Sequence, residues 1–300
     1  MQKISPCLWF DTQAEEAVKL YTSIFKNSKV GETSRYDAEA AKVSGQPEGS
    51  VLTVEFEIEG HAFTALNGGP IFKLTPAISF FVNCEKIEEV DALWEKLSDG
   101  GKTLMELGKY PYSEKYGWVQ DKFGVTWQLM HVTEKPKQKI VPCFLFVGKN
   151  FGKADEALKF YVSTFPDANV DSLQKAPPGP PYNNPDAVMH AAITLRGQSF
   201  SIMDGPGEHA FTFTEAISLI VNCETQEEID GYWKKLSAVK ESEQCGWLKD
   251  KYGVSWQIVP TILGKLLADK DKEKAGRVMK AMLEMKKLDI KKLQEAYEGK

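Results

Sequence analysis

One nine-residue stretch decides how the chain is organised, because it occurs twice. Residues 77–85 read AISFFVNCE and residues 216–224 read AISLIVNCE, with seven identical positions. A second stretch, GWVQDKFGVTWQ at 117–128, returns as GWLKDKYGVSWQ at 246–257, with eight of twelve positions identical. Because the order is the same in both halves, the sequence indicates a tandem duplication with a period of about 135 residues.

Other matching stretches extend the two copies in both directions. KISPCLWF at 3–10 pairs with KIVPCFLF at 139–146, and EEAVKLYTSIF at 15–25 pairs with DEALKFYVSTF at 155–165. We therefore predict two domains, residues 1–133 and 139–260, joined by the charged stretch TEKPKQK, in which proline blocks helix continuation. Residues 261–300 belong to neither copy and are called the tail below.

Hydrophobic periodicity gives the same order of elements twice in each copy. An apolar run at Ile4–Phe10 predicts a strand, and a helical spacing of apolar residues follows through about Ile24. Residues 37–50 are polar and predict a loop, and residues 51–59 alternate as a half-buried strand. The fold class predicted is α+β, with paired βαβββ modules. The tail predicts two or three short helices, with Asp289 as an N-cap and Gly299 as a stop.

Paired βαβββ modules resemble the vicinal oxygen chelate superfamily of glyoxalases, bleomycin-resistance proteins and dioxygenases. Three stretches carry a closer resemblance, to the PhnB-like subfamily often labelled 3-demethylubiquinone-9 3-methyltransferase. They are LWFDTQAEEAVKLYTSIF, EFEIEGHAFTALNGGPIFKLTPAISFFVNCE and GWVQDKFGVTWQ. The resemblance covers roughly residues 3–133 and 139–260. It implies that two modules share a sheet edge to close a cup, so four modules allow two complete cups or an arrangement like the homodimer of single-copy relatives.

The resemblance also implies where a metal would be held, since metal-dependent members place His or Glu on four strands of one cup. Strand alignment puts neutral residues at those positions: Pro6, Thr64, Ala77 and Gln128 in the first copy, and Pro142, Ser201, Ala216 and Gln257 in the second. Divalent metals need several N, O⁻ or S⁻ ligands that converge on one point. We therefore expect no metal site and no cofactor.

Charge and composition exclude several partners. The net charge is −5 and the pI about 5.6, so no basic field predicts binding to nucleic acid or to an anionic membrane. No apolar run is long enough to span a bilayer, and Asp11 interrupts any secretory signal. Five cysteines without a CxxC pair predict reduced thiols. We expect a cytoplasmic protein, monomeric, with a homodimer as the alternative.

Strand alternation predicts an apolar pocket with a few polar groups, which suits a hydrophobic or planar small molecule. The second copy carries His190 where the first has Thr53, so we predict that the second copy holds the functional pocket. The predicted ligand-binding residues are His190, Phe144, Phe146, Ser201, Met203, Ser218, Gln257 and Trp247. The alternative is that these side chains fill a closed core.

Three functions remain open on the sequence. The first is a metal-free small-molecule binding protein, and the second is an enzyme, such as the methyltransferase named by the subfamily label. The third is a structural protein whose cups are filled. Matching carboxylates, Asp121 and Asp250, lie in DKFG and DKYG, a pattern that favours a hairpin turn over an acid or base. No catalytic residue is predicted, and whether the protein is an enzyme stays undecided.

Overall fold

The computed structural model of the protein describes residues 2–300 and contains two compact units. The first unit consists of the chain up to Ser23, Asn27–Phe72 and Thr214–Lys300. The second unit consists of Ile24–Lys26 and Lys73–Phe213. Each unit is therefore assembled from segments that lie far apart in the sequence.

The elements of the first copy follow the predicted order. They are β1 (Ile4–Phe10), α1 (Ala14–Ile24), β2 (Lys29–Arg35), α2 (Ala38–Ser44), β3 (Val51–Ile58), β4 (His61–Asn67), β5 (Ile78–Cys84), α3 (Ile87–Ser98), β6 (Lys102–Tyr110), β7 (Ser113–Gln120) and β8 (Thr126–His131).

The second copy repeats this order with one strand and one α-helix fewer among the described residues, and the tail follows it. The elements are β9 (Ile140–Phe146), α4 (Ala154–Thr164), β10 (Asn169–Lys175), β11 (Val188–Leu195), β12 (Gln198–Asp204), β13 (Ile217–Cys223), α5 (Gln226–Leu236), β14 (Trp247–Lys249), β15 (Ser255–Pro260), α6 (Ile262–Leu267), α7 (Lys272–Leu283) and α8 (Ile290–Glu298). Two single 3₁₀ turns lie at Gly148–Asn150 and Lys240–Ser242.

Each unit contains one mixed β-sheet that joins strands of both copies. The sheet of the first unit has the order β14-β15-β13-β1-β4-β3-β2, and that of the second unit has the order β10-β11-β12-β9-β5-β8-β7-β6. At the two junctions the copies pair antiparallel, Pro6 opposite Leu219 and Phe80 opposite Pro142. The first module of each copy therefore shares a sheet with the second module of the other copy.

The compact units do not coincide with the predicted domains. Residues 1–133 and 139–260 remain the two copies of the repeat, but each unit takes half of each copy. Each sheet pairs a module of one copy with a module of the other, and does not pair the two modules of a single copy. The α+β fold class and the paired modules are confirmed.

Each sheet has one face covered by helices. In the first unit, Tyr21 of α1 stacks on Phe56 of β3, and α5 packs on β13 and β15. In the second unit, α3 packs on β7 and β8, and α4 packs on β11 and β12. We call the face of each sheet that is opposite these helices its inner face.

Local differences from the predicted elements have visible causes. The predicted loop at 37–50 contains α2, whose N-cap Asp37 accepts a hydrogen bond from the Ala40 N–H and whose C-cap Gly45 has φ 74°, a left-handed conformation that favours glycine. The tail forms the predicted short helices, and Asp289 and Gly299 cap α8 as expected. No helix within residues 2–300 is long and apolar enough to cross a membrane.

The tail also replaces a strand that the first unit lacks. In the second unit, β7 pairs with β6 at its outer edge, with Tyr116 opposite Gly108. At the matching positions of the first unit, the Cys245 and Gly246 N–H groups donate to the carbonyls of Met285 and Lys286, at 2.8 and 2.7 Å. The segment between α7 and α8 thus satisfies an edge that would otherwise be unpaired.

Buried apolar side chains fix this segment in place. Leu288 and Leu293 are fully buried in a cluster with Val278 of α7. Val259 of β15 packs against the same cluster, and it lies two residues from Gln257, on the same side of the strand. The tail therefore covers one end of the inner face of the first unit.

Candidate functional site

A chain of polar side chains crosses the inner face of the second unit. The Tyr116 hydroxyl donates to Gln128 Oε1 at 2.6 Å, and Gln128 Nε2 donates to Ser79 Oγ at 2.7 Å. Cys143 on β9 lies directly opposite Ser79 on β5 and opposite Ser201 on β12. Directly paired residues point to the same face of a sheet, so these five side chains share the inner face.

The first unit carries the same central arrangement. Gln257 Nε2 donates to Ser218 Oγ at 2.9 Å, and Cys7 lies opposite Ser218 and opposite Thr64. We call the three shared residues the Cys–Ser–Gln cluster: Cys143, Ser79 and Gln128 in the second unit, and Cys7, Ser218 and Gln257 in the first. In each unit the cysteine comes from one copy, and the serine and glutamine come from the other.

Burial keeps the two cluster thiols protonated. It raises the pKa of Cys7 to about 11 and that of Cys143 to about 12, although hydrogen bonds to the neighbouring Gln and Ser lower both. A thiol reacts as a nucleophile only when it ionises. The cluster therefore presents neutral polar groups, and both cysteines are buried.

Three of the predicted ligand-binding residues come together on the inner face of the second unit. His190 on β11 contacts Ser201 on β12, with 3.3 Å between Nε2 and Oγ. The His190 ring meets the ring of Phe81 edge-on at 6.2 Å, and Met203 packs against the apolar cluster that contains Phe81. Burial lowers the pKa of His190, so its imidazole is neutral at neutral pH.

Phe144 and Phe146 do not lie on the inner face, and this part of the prediction is wrong. Phe144 contacts Tyr161 of α4 and stacks on Phe200, and Phe213 meets both Phe144 and Phe146 edge-on. Both rings are 0% exposed. They fill the core between sheet and helix, and the inward residues that alternate with them on β9 are Cys143 and Leu145.

The other three predicted residues, Ser218, Gln257 and Trp247, belong to the first unit. Trp247 lies opposite Gln257 in the β14–β15 pair and meets the ring of Trp9 edge-on at 6.1 Å. The predicted set is thus divided between two sheets. The division follows from the exchange of modules between the copies.

Two aromatic residues outside the predicted ligand-binding set complete the inner face of the second unit. Tyr116 and Trp118 lie on β7 with Gly117 between them; a Cβ on Gly117 would come within 2.5 Å of the Trp94 ring of α3. Gly117 therefore faces the helix, and its two aromatic neighbours face inward. Apolar side chains surround them in a cluster: Phe81, Met105, Tyr110, Met130, Val141 and Met203.

One polar atom in this surrounding has no partner. Trp118 Nε1 and Asp155 Oδ1 are the buried side-chain nitrogen and oxygen atoms within residues 2–300 that lack a hydrogen bond. A buried donor left unsatisfied costs about 1–3 kcal/mol. Such an atom on a sheet face that also carries His190 and Gln128 is the type of feature that a bound ligand explains.

The matching carboxylates are structural, as the turn interpretation predicted. Asp121 accepts from the Phe123 and Val125 N–H groups and from Trp127 Nε1, at 2.9, 3.0 and 2.8 Å. Asp250 makes the same three bonds to Tyr252, Val254 and Trp256. Both carboxylates are buried and hold a tight turn against the fully buried indole of a strand.

The donor set of the inner faces does not fit a divalent metal. The inward side chains at the centre are one protonated thiol, serine or threonine hydroxyls and one amide in each unit. In the first unit Glu55, opposite Thr64, adds a single carboxylate to this face. Residues 2–300 contain no group of three or more His, Cys, Asp or Glu that could hold a metal ion. Neutral amide and hydroxyl oxygens are weak ligands, and the one carboxylate of the first unit does not supply the several strong ligands that a divalent metal needs.

The glycine-rich stretches do not fit S-adenosylmethionine either. A methyl donor of this kind is commonly held by a glycine turn between a strand and a helix. Residues 66–70 instead hold Trp9, whose Nε1 donates to the Gly69 carbonyl at 2.8 Å, and a Cβ on Gly68 would overlap the same indole. The stretches at 66–70 and 203–207 are both followed by a loop and then a strand.

Comparison with known proteins supports the fold and the repeat. The family described as 3-demethylubiquinone-9 3-methyltransferase matches residues 2–130 and again residues 138–259. The PhnB protein of Bacillus cereus is 41% identical over 44% of this chain and 100% of its own length, with a TM-score of 0.40. A Staphylococcus aureus protein is 34% identical over 44% of this chain and 97% of its own, with a TM-score of 0.19.

A glyoxalase I variant from Zea mays covers more of the chain. It matches 86% of this chain and 93% of its own length at 12% identity, with a TM-score of 0.54, which shows a shared fold and nothing about activity. No curated protein matches the chain. Because the family matches nearly all of both copies, the chain belongs to the 3-demethylubiquinone-9 3-methyltransferase (PhnB-like) family, with the vicinal oxygen chelate fold in tandem duplication.

Proposed function

We propose that the protein binds a small, flat, largely apolar molecule on the inner face of the second unit, without a metal ion. The observation that carries the proposal is the polar chain Tyr116–Gln128–Ser79 inside an apolar surrounding that includes Phe81 and Met203. Few polar groups set in an apolar wall are typical of small-molecule sites, where the polar groups orient the ligand.

The inner face of the second unit suits this role better than that of the first. His190 and Tyr116 add a ring nitrogen and a hydroxyl in the second unit, where the first unit has Thr53 and Cys245. The Cys245 thiol is half-buried, and burial raises its pKa. The tail covers one end of the inner face of the first unit, so we propose a scaffold role for that unit.

The methyltransferase activity in the family's description is the alternative function. It rests on the family match, while the glycine stretches of this chain do not offer the usual site for the methyl donor. On the inner face of the second unit, burial raises the pKa of the Cys143 thiol, which disfavours covalent catalysis by this cysteine.

Thermal unfolding of the whole chain tests the proposal. A ligand at a hundred times its dissociation constant stabilises the native state by about 2.7 kcal/mol. We expect planar hydrophobic compounds to raise the melting temperature, and S-adenosylmethionine, Zn²⁺ and Ni²⁺ to leave it unchanged. Stabilisation by S-adenosylmethionine alone would favour the methyltransferase, and stabilisation by a metal alone would contradict the metal-free site.

We also propose a cytoplasmic monomer that binds neither nucleic acid nor membrane. The sequence has an odd number of cysteines, five, and no CxxC pair, which suits a reducing compartment. Each sheet joins modules of the same chain, so no second chain is needed to complete it. Sedimentation at micromolar concentration should give one species of 33.6 kDa. A tight dimer that unfolds on dilution would contradict the monomer.

A further inference from the structure

We infer that the second unit selects a neutral, flat ligand carrying a hydrogen-bond acceptor, such as an aromatic ketone, and that the acceptor binds the indole N–H of Trp118. The inference rests on the proposed function and names the chemistry of its ligand. Two observations carry it. One is the unpartnered indole nitrogen, and the other is the apolar cluster against which Trp118 packs.

The position of Trp118 places its ring within the candidate site. It lies opposite Gln128 of β8 and opposite Met105 of β6, so it stands between the polar chain and the apolar wall. Tryptophan can only donate through Nε1. The ligand atom that meets it must therefore be an acceptor.

The neighbouring protein acceptor is already used. Gln128 Oε1 receives the Tyr116 hydroxyl, and Gln128 Nε2 donates to Ser79. The amide of Gln128 is therefore oriented by Tyr116 and Ser79, and the indole N–H of Trp118 has no hydrogen-bond partner. Trp118 Nε1 is enclosed, so a ligand reaches it by displacing a neighbour, and the flexible Met105 opposite it can repack at small cost.

The same surroundings disfavour an anion. The side chains of the site are Ser79, Phe81, Met105, Tyr110, Tyr116, Trp118, Gln128, Met130, Val141, Cys143, His190, Ser201 and Met203. None carries a charge at neutral pH, because burial raises the pKa of Tyr116 and Cys143 and lowers that of His190. A carboxylate brought here would lose its hydration and meet no cation.

Three naphthalenes that differ in one group make the test. They are 6-propionyl-2-(dimethylamino)naphthalene, the same ring without the ketone, and 6-(dimethylamino)naphthalene-2-carboxylate. Each is titrated into the full-length chain while its environment-sensitive fluorescence is recorded. We expect the ketone to bind about tenfold more tightly than either other compound, the usual size of one well-placed hydrogen bond.

Matched tryptophan variants locate the donor. Trp118→Phe keeps an aromatic ring and removes the N–H, so we expect the ketone to lose about tenfold in affinity while the ring without the ketone loses little. Trp247→Phe, at the equivalent place on β14 in the first unit, should change none of the three affinities. Circular dichroism of both variants checks that each is folded.

The outcomes separate this inference from the proposed function. If the carboxylate or the ring without the ketone binds as tightly as the ketone, the ligand class is wrong and binding itself stands. If Trp118→Phe weakens the binding of all compounds equally, Trp118 contributes packing and no hydrogen bond to the ligand, and the inference fails. If none of the three compounds binds and the thermal screen finds no planar ligand, both proposals fail. If Trp118→Phe does not fold, the affinities of the unsubstituted protein for the ketone and for the ring without the ketone still test the ligand class.

Discussion

The two units have the same arrangement of side chains at the centre of their sheets. They differ at one edge of the sheet, which we call the rim. Both carry the Cys–Ser–Gln cluster on the inner face and an aspartate turn under a buried tryptophan. At the rim, the second unit has the long hairpin β6–β7 with Tyr110 and Tyr116. The first unit has the three-residue strand β14 and the tail.

This comparison teaches which parts of a duplicated fold can vary. The centre is held by bonds between copies and by full burial, so a change there leaves polar groups without partners. The rim of the first unit has no such hairpin among the described residues, and a segment from outside the repeat accepts the edge hydrogen bonds there. Rim differences therefore distinguish the two inner faces, while the centre is common to both.

The aspartate turns offer the strongest test of the common centre. Replacing Asp121 or Asp250 by Ala removes the acceptor of two backbone N–H groups and one buried indole, so each change should cost about 3–5 kcal/mol of unfolding free energy. Urea denaturation of both variants measures the effect. A loss below about 1 kcal/mol in one unit only would show that the two turns are not equivalent.

The tail offers the strongest test of the different rims. Leu288 is fully buried beside Gly246, so Leu288→Ala should destabilise the protein by about 2–4 kcal/mol. Hydrogen exchange should become faster at the Cys245 and Gly246 amides and stay unchanged in β7. Val43→Ala, at a side chain 68% exposed, is the control and should change stability by less than about 0.5 kcal/mol. Unchanged exchange at Cys245 would mean that the tail does not complete the edge.

The two glutamines provide a smaller effect that compares the clusters directly. Gln128 bonds to Tyr116 and Ser79, whereas Gln257 bonds to Ser218 without a tyrosine partner. Gln128→Leu should therefore cost about 2 kcal/mol and Gln257→Leu about 1 kcal/mol. The difference is measured by chemical denaturation of the two variants side by side. Equal losses would remove the distinction between the clusters.

Ligand affinity provides the next test, since His190 faces the site and Thr53 is its counterpart in the first unit. With the propionyl naphthalene as probe, His190→Ala should weaken binding about five- to tenfold, and Thr53→Ala should do little. Fluorescence titration gives both affinities. Equal changes would indicate that the difference between His190 and Thr53 is drift.

The smallest effect concerns pH, where both units have a partly buried histidine. Burial lowers the pKa of His61 and of His190, so the unfolded chain binds more protons than the native protein once the pH falls below about 7. Native stability should be complete above that pH and decrease toward about pH 5. Replacing either histidine by Gln should remove part of this loss of unfolding free energy. Urea denaturation at several pH values measures it. A pH dependence that is unchanged in both variants would contradict the assignment.

Much of the fold was predictable from the sequence, because repeats and alternation are local signals. The β-α-β-β-β order, the aspartate turns and the caps of α8 all follow from residues that are close in sequence. The helix α2 could have been predicted as well, since Asp37 and Gly45 are ordinary cap residues at its two ends.

The inward residues of β9 could not be predicted, for a physical reason. Every residue of Ile140–Phe146 is buried, so the strand has no polar face from which the alternation could be assigned. The sequence pattern therefore does not distinguish Phe144 and Phe146 from Cys143 as the inward residues of this strand. Strand β3 has exposed or half-buried residues between buried ones, and there the alternation was assigned correctly.

The exchange of modules was equally hidden. Strand β1 pairs with Ile217, Leu219 and Val221 of β13, and the same positions of β5 are Ile78, Phe80 and Val82. Both edges offer nearly the same apolar residues, so local pairing energies hardly distinguish them. Only the course of the whole chain decides which copy a strand joins, and sequence patterns do not contain that information.

The shared cluster has a consequence for how such a protein can be inherited or engineered. Cys143 belongs to one copy while Ser79 and Gln128 belong to the other, and Cys7 stands in the reverse relation to Ser218 and Gln257. Replacing one entire copy by that of a relative would change half of each inner face and leave neither intact. An exchange that keeps one inner face intact must therefore replace the first module of one copy together with the second module of the other copy.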